Sequence, residues 1–246
     1  MFHIPTLRSL GALALGGLLF FSNGAAHALV TVVKDPGQLF GTAVIDGAYR
    51  SLGSDMVGMT VTVEYASGAN VSGVWGVSNA ATHTGSASVT DFFSSSVSGD
   101  TWSSAWAFVN EAESAINRII FDAGLGNAFF DTTAPDPGTP GSAAGRDFQL
   151  LGGNVGDITA TYRDEVGLID ALTGELGAPV GDVFRVLQLD FAGTAFGGGE
   201  TMAFRVDTDN AFGMRLEADV IPEPASFLIL AAGLLALSRR RGTHSF

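Results

Sequence analysis

The pattern that most constrains this chain is alternation at period two, in short bursts separated by turn residues. Met59, Val61, Val63 and Tyr65 face one way while Thr60, Thr62 and Glu64 face the other, as in a strand buried on one side only. Met202, Phe204 and Val206 likewise oppose Ala203, Arg205 and Asp207. The longest alternation sets Phe212, Met214, Leu216, Ala218 and Val220 against Gly213, Arg215, Glu217 and Asp219. Trp102, Trp106 and Phe108 share a face that Ser104 interrupts. Further strands are predicted at 29–33, 71–78, 116–121, 158–162 and 183–191, divided by clusters such as Ser67-Gly68-Ala69-Asn70 and Phe196-Gly197-Gly198-Gly199. Many short strands with turns between them predict a mainly β fold, an antiparallel β-sandwich of jelly-roll-like size. One short helix is predicted near 166–172, where Val166, Ile169 and Leu172 fall on one helical face. The stretch 131–147 holds Pro135, Pro137 and Pro140 and reads as an irregular surface excursion.

The two ends have a different character. Arg8, the apolar run from Leu10 to Phe21 and the small-x-small triplet Ala26-His27-Ala28 form a signal peptide over residues 1–28, with Leu29 first in the mature chain. At the other end, Ile221-Pro222-Glu223-Pro224 precedes an uncharged run and then Arg239, Arg240 and Arg241. Pro222 and Pro224 have no backbone N–H, so a strand ladder stops there, but Pro224 suits the first position of a helix. Residues 225–238 predict a transmembrane helix, about 21 Å long at 1.5 Å per residue and so short for a hydrocarbon core of about 30 Å. Arginines after it are a cytoplasmic stop, which places the preceding chain outside.

These last residues resemble a PEP-CTERM sorting signal: the motif Pro222-Glu223-Pro224, an apolar stretch and an arginine-rich tail. The resemblance implies a Gram-negative exported protein processed by an exosortase, of a kind whose producers commonly also make exopolysaccharide. The extension Gly242 to Phe246 departs from that pattern, in which the chain ends soon after the arginines. The implied partners are signal peptidase and Sec-type export machinery, the exosortase, the inner membrane and exopolysaccharide. The expected locations are the inner membrane at first, then the cell surface or extracellular matrix.

Between these signals, residues 29–219 form one exported domain, followed by the sorting segment 220–246. The domain carries eight basic against 24 acidic residues, which repels nucleic acid and anionic lipid. With no cysteine in the chain, disulfides, thiolate metal sites and cysteine nucleophiles are excluded. His83 is the one histidine of the domain. With so few groups that titrate near neutrality, the domain reads as a non-enzyme, although carboxylates such as Glu111, Glu113, Asp164, Glu165 and Asp170 keep an extracellular hydrolase among the alternatives.

Two constellations suggest binding. Asp207, Asp209 and Asn210 offer oxygen ligands suited to Ca²⁺, or else form a polar turn between strands; they lack EF-hand spacing. Trp75, Trp102 and Trp106, with Tyr49, would make a sugar-stacking platform if exposed, or core packing if not. The expected role is therefore a structural or interaction protein of the surface or matrix. The alternative is a carbohydrate-binding module, with or without calcium.

Overall fold

The computed structural model describes residues 28–35, 41–45, 51–126, 128–133, 138–139, 145–170, 176, 180–193, 196–210 and 214–216. Ala26, Tyr49 and everything from residue 217 onward, including the Pro-Glu-Pro motif, the apolar run 225–238 and the three arginines, lie outside them. Among the described residues no helix is long and apolar enough to cross a membrane.

Sixteen strands are described. In chain order they are β1 (Val30–Asp35), β2 (Gly41–Ile45), β3 (Thr60–Tyr65), β4 (Asn70–Val74), β5 (Gly76–Asn79), β6 (Thr84–Val89), β7 (Phe93–Ser98) and β8 (Trp106–Asn110). Then follow β9 (Ile116–Asp122), β10 (Ala128–Asp131), β11 (Gln149–Gly153), β12 (Ile158–Asp170), β13 (Val183–Phe191), β14 (Thr201–Arg205), β15 (Asp207–Asn210) and β16 (Met214–Leu216). The larger sheet runs β16-β2-β12-β13-β9-β3-β4, with β1 also on β12, β10 also on β13, and β15 on β10. The smaller runs β11-β14-β8-β7-β6-β5.

The predicted alternation is realised in β3, where Val61, Val63 and Tyr65 are buried and the residues between them are half-exposed. These side chains meet the inner face of the smaller sheet. Phe121 of β9 packs against Trp106 and Phe108 of β8 at ring separations of 5.8 and 6.5 Å. Trp106 also contacts Trp75 at 5.2 Å and Phe204 at 5.7 Å. The two sheets thus close over one aromatic core. Chain crossing occurs at Trp75: β4 pairs with β3 in one sheet and β5 with β6 in the other. The indole N–H of Trp75 donates to the Gly53 carbonyl at 2.8 Å. A Cβ at Gly85 would overlap both that carbonyl and the indole nitrogen, so this approach needs glycine. The few cations tie strands together: Arg118 on β9 bridges Glu64 of β3 and Asp190 of β13.

Several expectations are corrected. The predicted helix near 166–172 is strand up to Asp170, because β12 continues through Val166, Gly167 and Leu168. These residues are buried, and Val166 and Leu168 join Phe129 and Val183 in a second apolar cluster. Pairing is not uniformly antiparallel: β1 and β2 both join β12 in parallel. They follow one another along its edge, and the change of partner falls at Asp164, whose φ of 61° is left-handed. The predicted strand 71–78 is two strands broken at Trp75. Of the predicted 212–220 alternation, the described part is β16, paired with β2.

Candidate functional site

Strand β15 lies antiparallel to β10, with Asp207 opposite Asp131, Thr208 opposite Phe130 and Asp209 opposite Phe129. Opposed residues share a face, as do alternate residues along a strand. Asp131, Asp207 and Asp209 therefore lie on one face, and all three are buried. Burial, then the charges of Asp131 and Asp100, push Asp207 up to about 7, against which the Thr208 amide and the Arg146 guanidinium act. Burial, then Asp207 and Asp131, push Asp209 further, to about 9. A proton on Asp209 lets it hydrogen-bond to Asp131, which two ionised carboxylates cannot do. Burial and mutual repulsion thus favour the protonated form of these carboxyls.

The calcium expectation does not assemble as predicted. Asn210 falls on the opposite face from Asp207 and Asp209, where its Oδ1 accepts from the Ser51 hydroxyl at 2.7 Å and its Nδ2 donates to Asp55 at 3.3 Å. Among the described residues no group of three or more His, Cys, Asp or Glu is arranged to hold a metal ion. Asp131, the carboxylate that completes the cluster, carries no local sequence signal. It reaches the site through strand pairing alone.

Trp102 is drawn to the same region. It is 39% exposed, in the turn before β8, with its backbone N–H bonded to Asp100 at 3.0 Å. The Arg146 guanidinium lies 4.3 Å over its ring, a cation–π contact, and the Arg146 amide donates to the Asp131 carbonyl at 3.0 Å. Between them the Thr101 hydroxyl donates to the Thr208 carbonyl at 3.0 Å. Trp75 and Trp106, at 1% and 0% exposure, cannot offer a face to a sugar. The three-tryptophan platform is thereby reduced to Trp102, and the predicted shared face of Trp102 with Trp106 is replaced by an exposed turn.

The remaining candidates are dispersed. His83 is exposed in a turn at φ 50°, where its carbonyl accepts from the amides of Ser54 and Gly99. Glu165 accepts the Gly181 amide at 2.7 Å, and burial raises its pKa. Asp182, buried nearby, takes both the amide and the hydroxyl of Thr139. Ala28 and Leu29 sit immediately before β1.

The fold defines an acidic two-sheet β body with a buried carboxylate cluster beside one exposed tryptophan. Its address lies at the carboxy end: residues 220–241 match the PEP-CTERM protein-sorting motif. The match takes in Pro222, Glu223, Pro224, Arg239, Arg240 and Arg241, and the motif implies an exosortase-targeted exported protein. No curated protein and no solved structure matches the chain.

Proposed function

We propose that this chain is a structural or interaction protein of the cell surface or exopolysaccharide matrix. An amino-terminal signal is removed before Leu29, and the segment 225–238 holds the body at the inner membrane until an exosortase acts. The sorting-motif match at residues 220–241 carries this reading. The acidic, cysteine-free β body supports it: such a surface is soluble, and its stability comes from packing without disulfides.

Processing is tested by intact mass and fractionation of wild type beside a Pro222→Ala/Pro224→Ala variant. The wild type is expected to run from Leu29 to near Pro222 and to leave the inner membrane, while the variant keeps residues 225–246 and stays. If both forms retain the tail in the inner membrane, the segment is a permanent anchor and exosortase processing is refuted.

The exposure of Trp102 favours a second reading, binding of a polysaccharide by stacking on that ring. Trp102→Ala is then expected to weaken binding of the producing cell's own exopolysaccharide by about two- to tenfold, as loss of one stacking contact of about 0.5–1.5 kcal/mol would. Equal isothermal titration curves for variant and wild type would exclude a role for this ring.

A further inference from the structure

The backbone N–H of Leu29 donates to Asp157 Oδ1 at 2.9 Å, and the N–H of Ile158 donates back to the Leu29 carbonyl at 2.9 Å. These bonds form the first rung of the parallel ladder that continues from Val30 opposite Ile158 to Asp35 opposite Arg163. This rung extends the pairing that holds strand β1. Among the described residues β1 pairs with β12 alone, and none of its six residues is fully buried. Leu29 and Asp157 line an open cavity of about 330 Å³ together with Thr31, Ile158, Asp190 and Phe191. Asp190 is already held by Arg118 and by Gln188, each at 2.6 Å. Among the described residues no cation pairs with Asp157.

Leu29 is also the residue that the Ala26-His27-Ala28 site would make the first of the mature chain. We infer that Asp157 is a receptor for the new amino terminus: removal of the leader turns the Leu29 amide into an ammonium that pairs with this carboxylate and clamps β1 to the sheet. The inference rests on the leader-cleavage reading given above. Signal peptidase adds one water across the Ala28–Leu29 peptide bond. The leader departs with a carboxylate on Ala28, and the freed amine of Leu29 takes up a proton, since an α-amino group titrates near about 8.

The precursor can offer Asp157 a single neutral N–H. The mature chain offers three donors and a full charge, and charge-assisted bonds are roughly twice as strong as neutral ones. In a domain with 24 acidic and eight basic residues, the added cation also reduces self-repulsion. Among the described residues, Asp157 and Asp190 are the carboxylates that line the cavity, and the guanidinium that Asp190 holds, Arg118, is shared with Glu64. Maturation thus adds the missing positive group where β1 begins.

The test uses protein purified from the envelope of the exporting cell, as wild type and as Asp157→Asn, which keeps a neutral acceptor at the same place. Intact mass first identifies the amino terminus. A terminus other than Leu29 overturns the leader-cleavage reading and the receptor with it. With Leu29 in place, amine labelling is followed against pH. The pair is expected to raise the α-amino pKa and to slow wild-type labelling near neutral pH by about threefold relative to Asp157→Asn, the scale of an exposed ion pair. Backbone hydrogen exchange in β1 is expected to be faster in the variant by a similar factor. Identical labelling curves and identical exchange in two chains that both begin at Leu29 would overturn the receptor and leave the cleavage reading intact.

Discussion

Between about pH 5 and about pH 9 the folded body is expected to lose about 3–5 kcal/mol of stability, and an Asp209→Asn variant much less. Asp207 and Asp209 have an ordinary value of 3.8 and are raised in the fold to about 7 and about 9. The native state therefore keeps protons that the unfolded chain releases as soon as the pH passes the ordinary carboxylate range. The stabilisation is complete below the unfolded value and is lost as pH rises through about 7 for Asp207 and about 9 for Asp209. Each tenfold change in acidity corresponds to about 1.4 kcal/mol, so the upper bound is larger than the loss expected after the site relaxes. For a domain of this size the melting temperature should fall by about 10 °C. Thermal melts at constant ionic strength check this, and a flat profile would sink the protonation of these carboxyls in the fold. The amide that replaces the Asp209 carboxylate carries no charge at any pH, so the variant should be flatter and more stable than wild type at the alkaline end. Millimolar calcium is the control. If it raises the wild-type melting temperature at mildly alkaline pH and leaves Asp209→Asn unmoved, the carboxylates hold a cation in place of protons.

Replacing Trp106 by alanine should remove about 3–5 kcal/mol, a large share of the roughly 5–15 kcal/mol typical of a domain. Its ring is fully buried and touches Trp75, Phe121 and Phe204. It thus joins the smaller sheet to the larger and to the crossover between them. Few neighbours can close a void of that size, since the contacts are themselves rigid rings. Trp106→Phe should be much milder, about 1 kcal/mol, for a specific reason. The indole nitrogen is buried without a hydrogen-bond partner among the described residues, and phenylalanine removes that unsatisfied donor while keeping most of the apolar surface. Urea unfolding of both variants decides the point. Equal losses in the two would mean that the nitrogen has a partner after all. A loss under about 1 kcal/mol for alanine would mean that Trp106 does not bind the sheets together.

Strands with one buried face are the legible part of the fold. The runs leading to β3, β9, β13 and β14 alternate or stay apolar in the chain and do so in the structure. Strands β6 and β7 are hard to read because serines fill their outward positions, leaving Phe93 and Val97 of β7 and Ala87 of β6 as thin apolar signals. The carboxy half of β12 misleads for the opposite reason. It is covered on both faces, so its alternation disappears and a three-residue spacing of Val166 and Ile169 imitates a helix. At the acidic cluster, Asp207 and Asp209 can be singled out by their spacing. Their buried state and the approach of Asp131 cannot, because both depend on a strand far away in the chain. Parallel pairing by β1 and β2 has no period of its own, and only the folded sheet reveals it.

That pairing sets an order of events for a chain threaded outward from its amino end. Val30 finds its partner Ile158 after a further 128 residues have followed. Until then β1 has no ladder to join, and contacts so distant in sequence form slowly. The first strand of the body thus emerges earliest and docks only once β12 has crossed, with β13 to β16 still to follow. A passenger arranged this way leaves its leading edge unsealed until more than half of the domain has crossed, although the hairpins between can pair as they emerge.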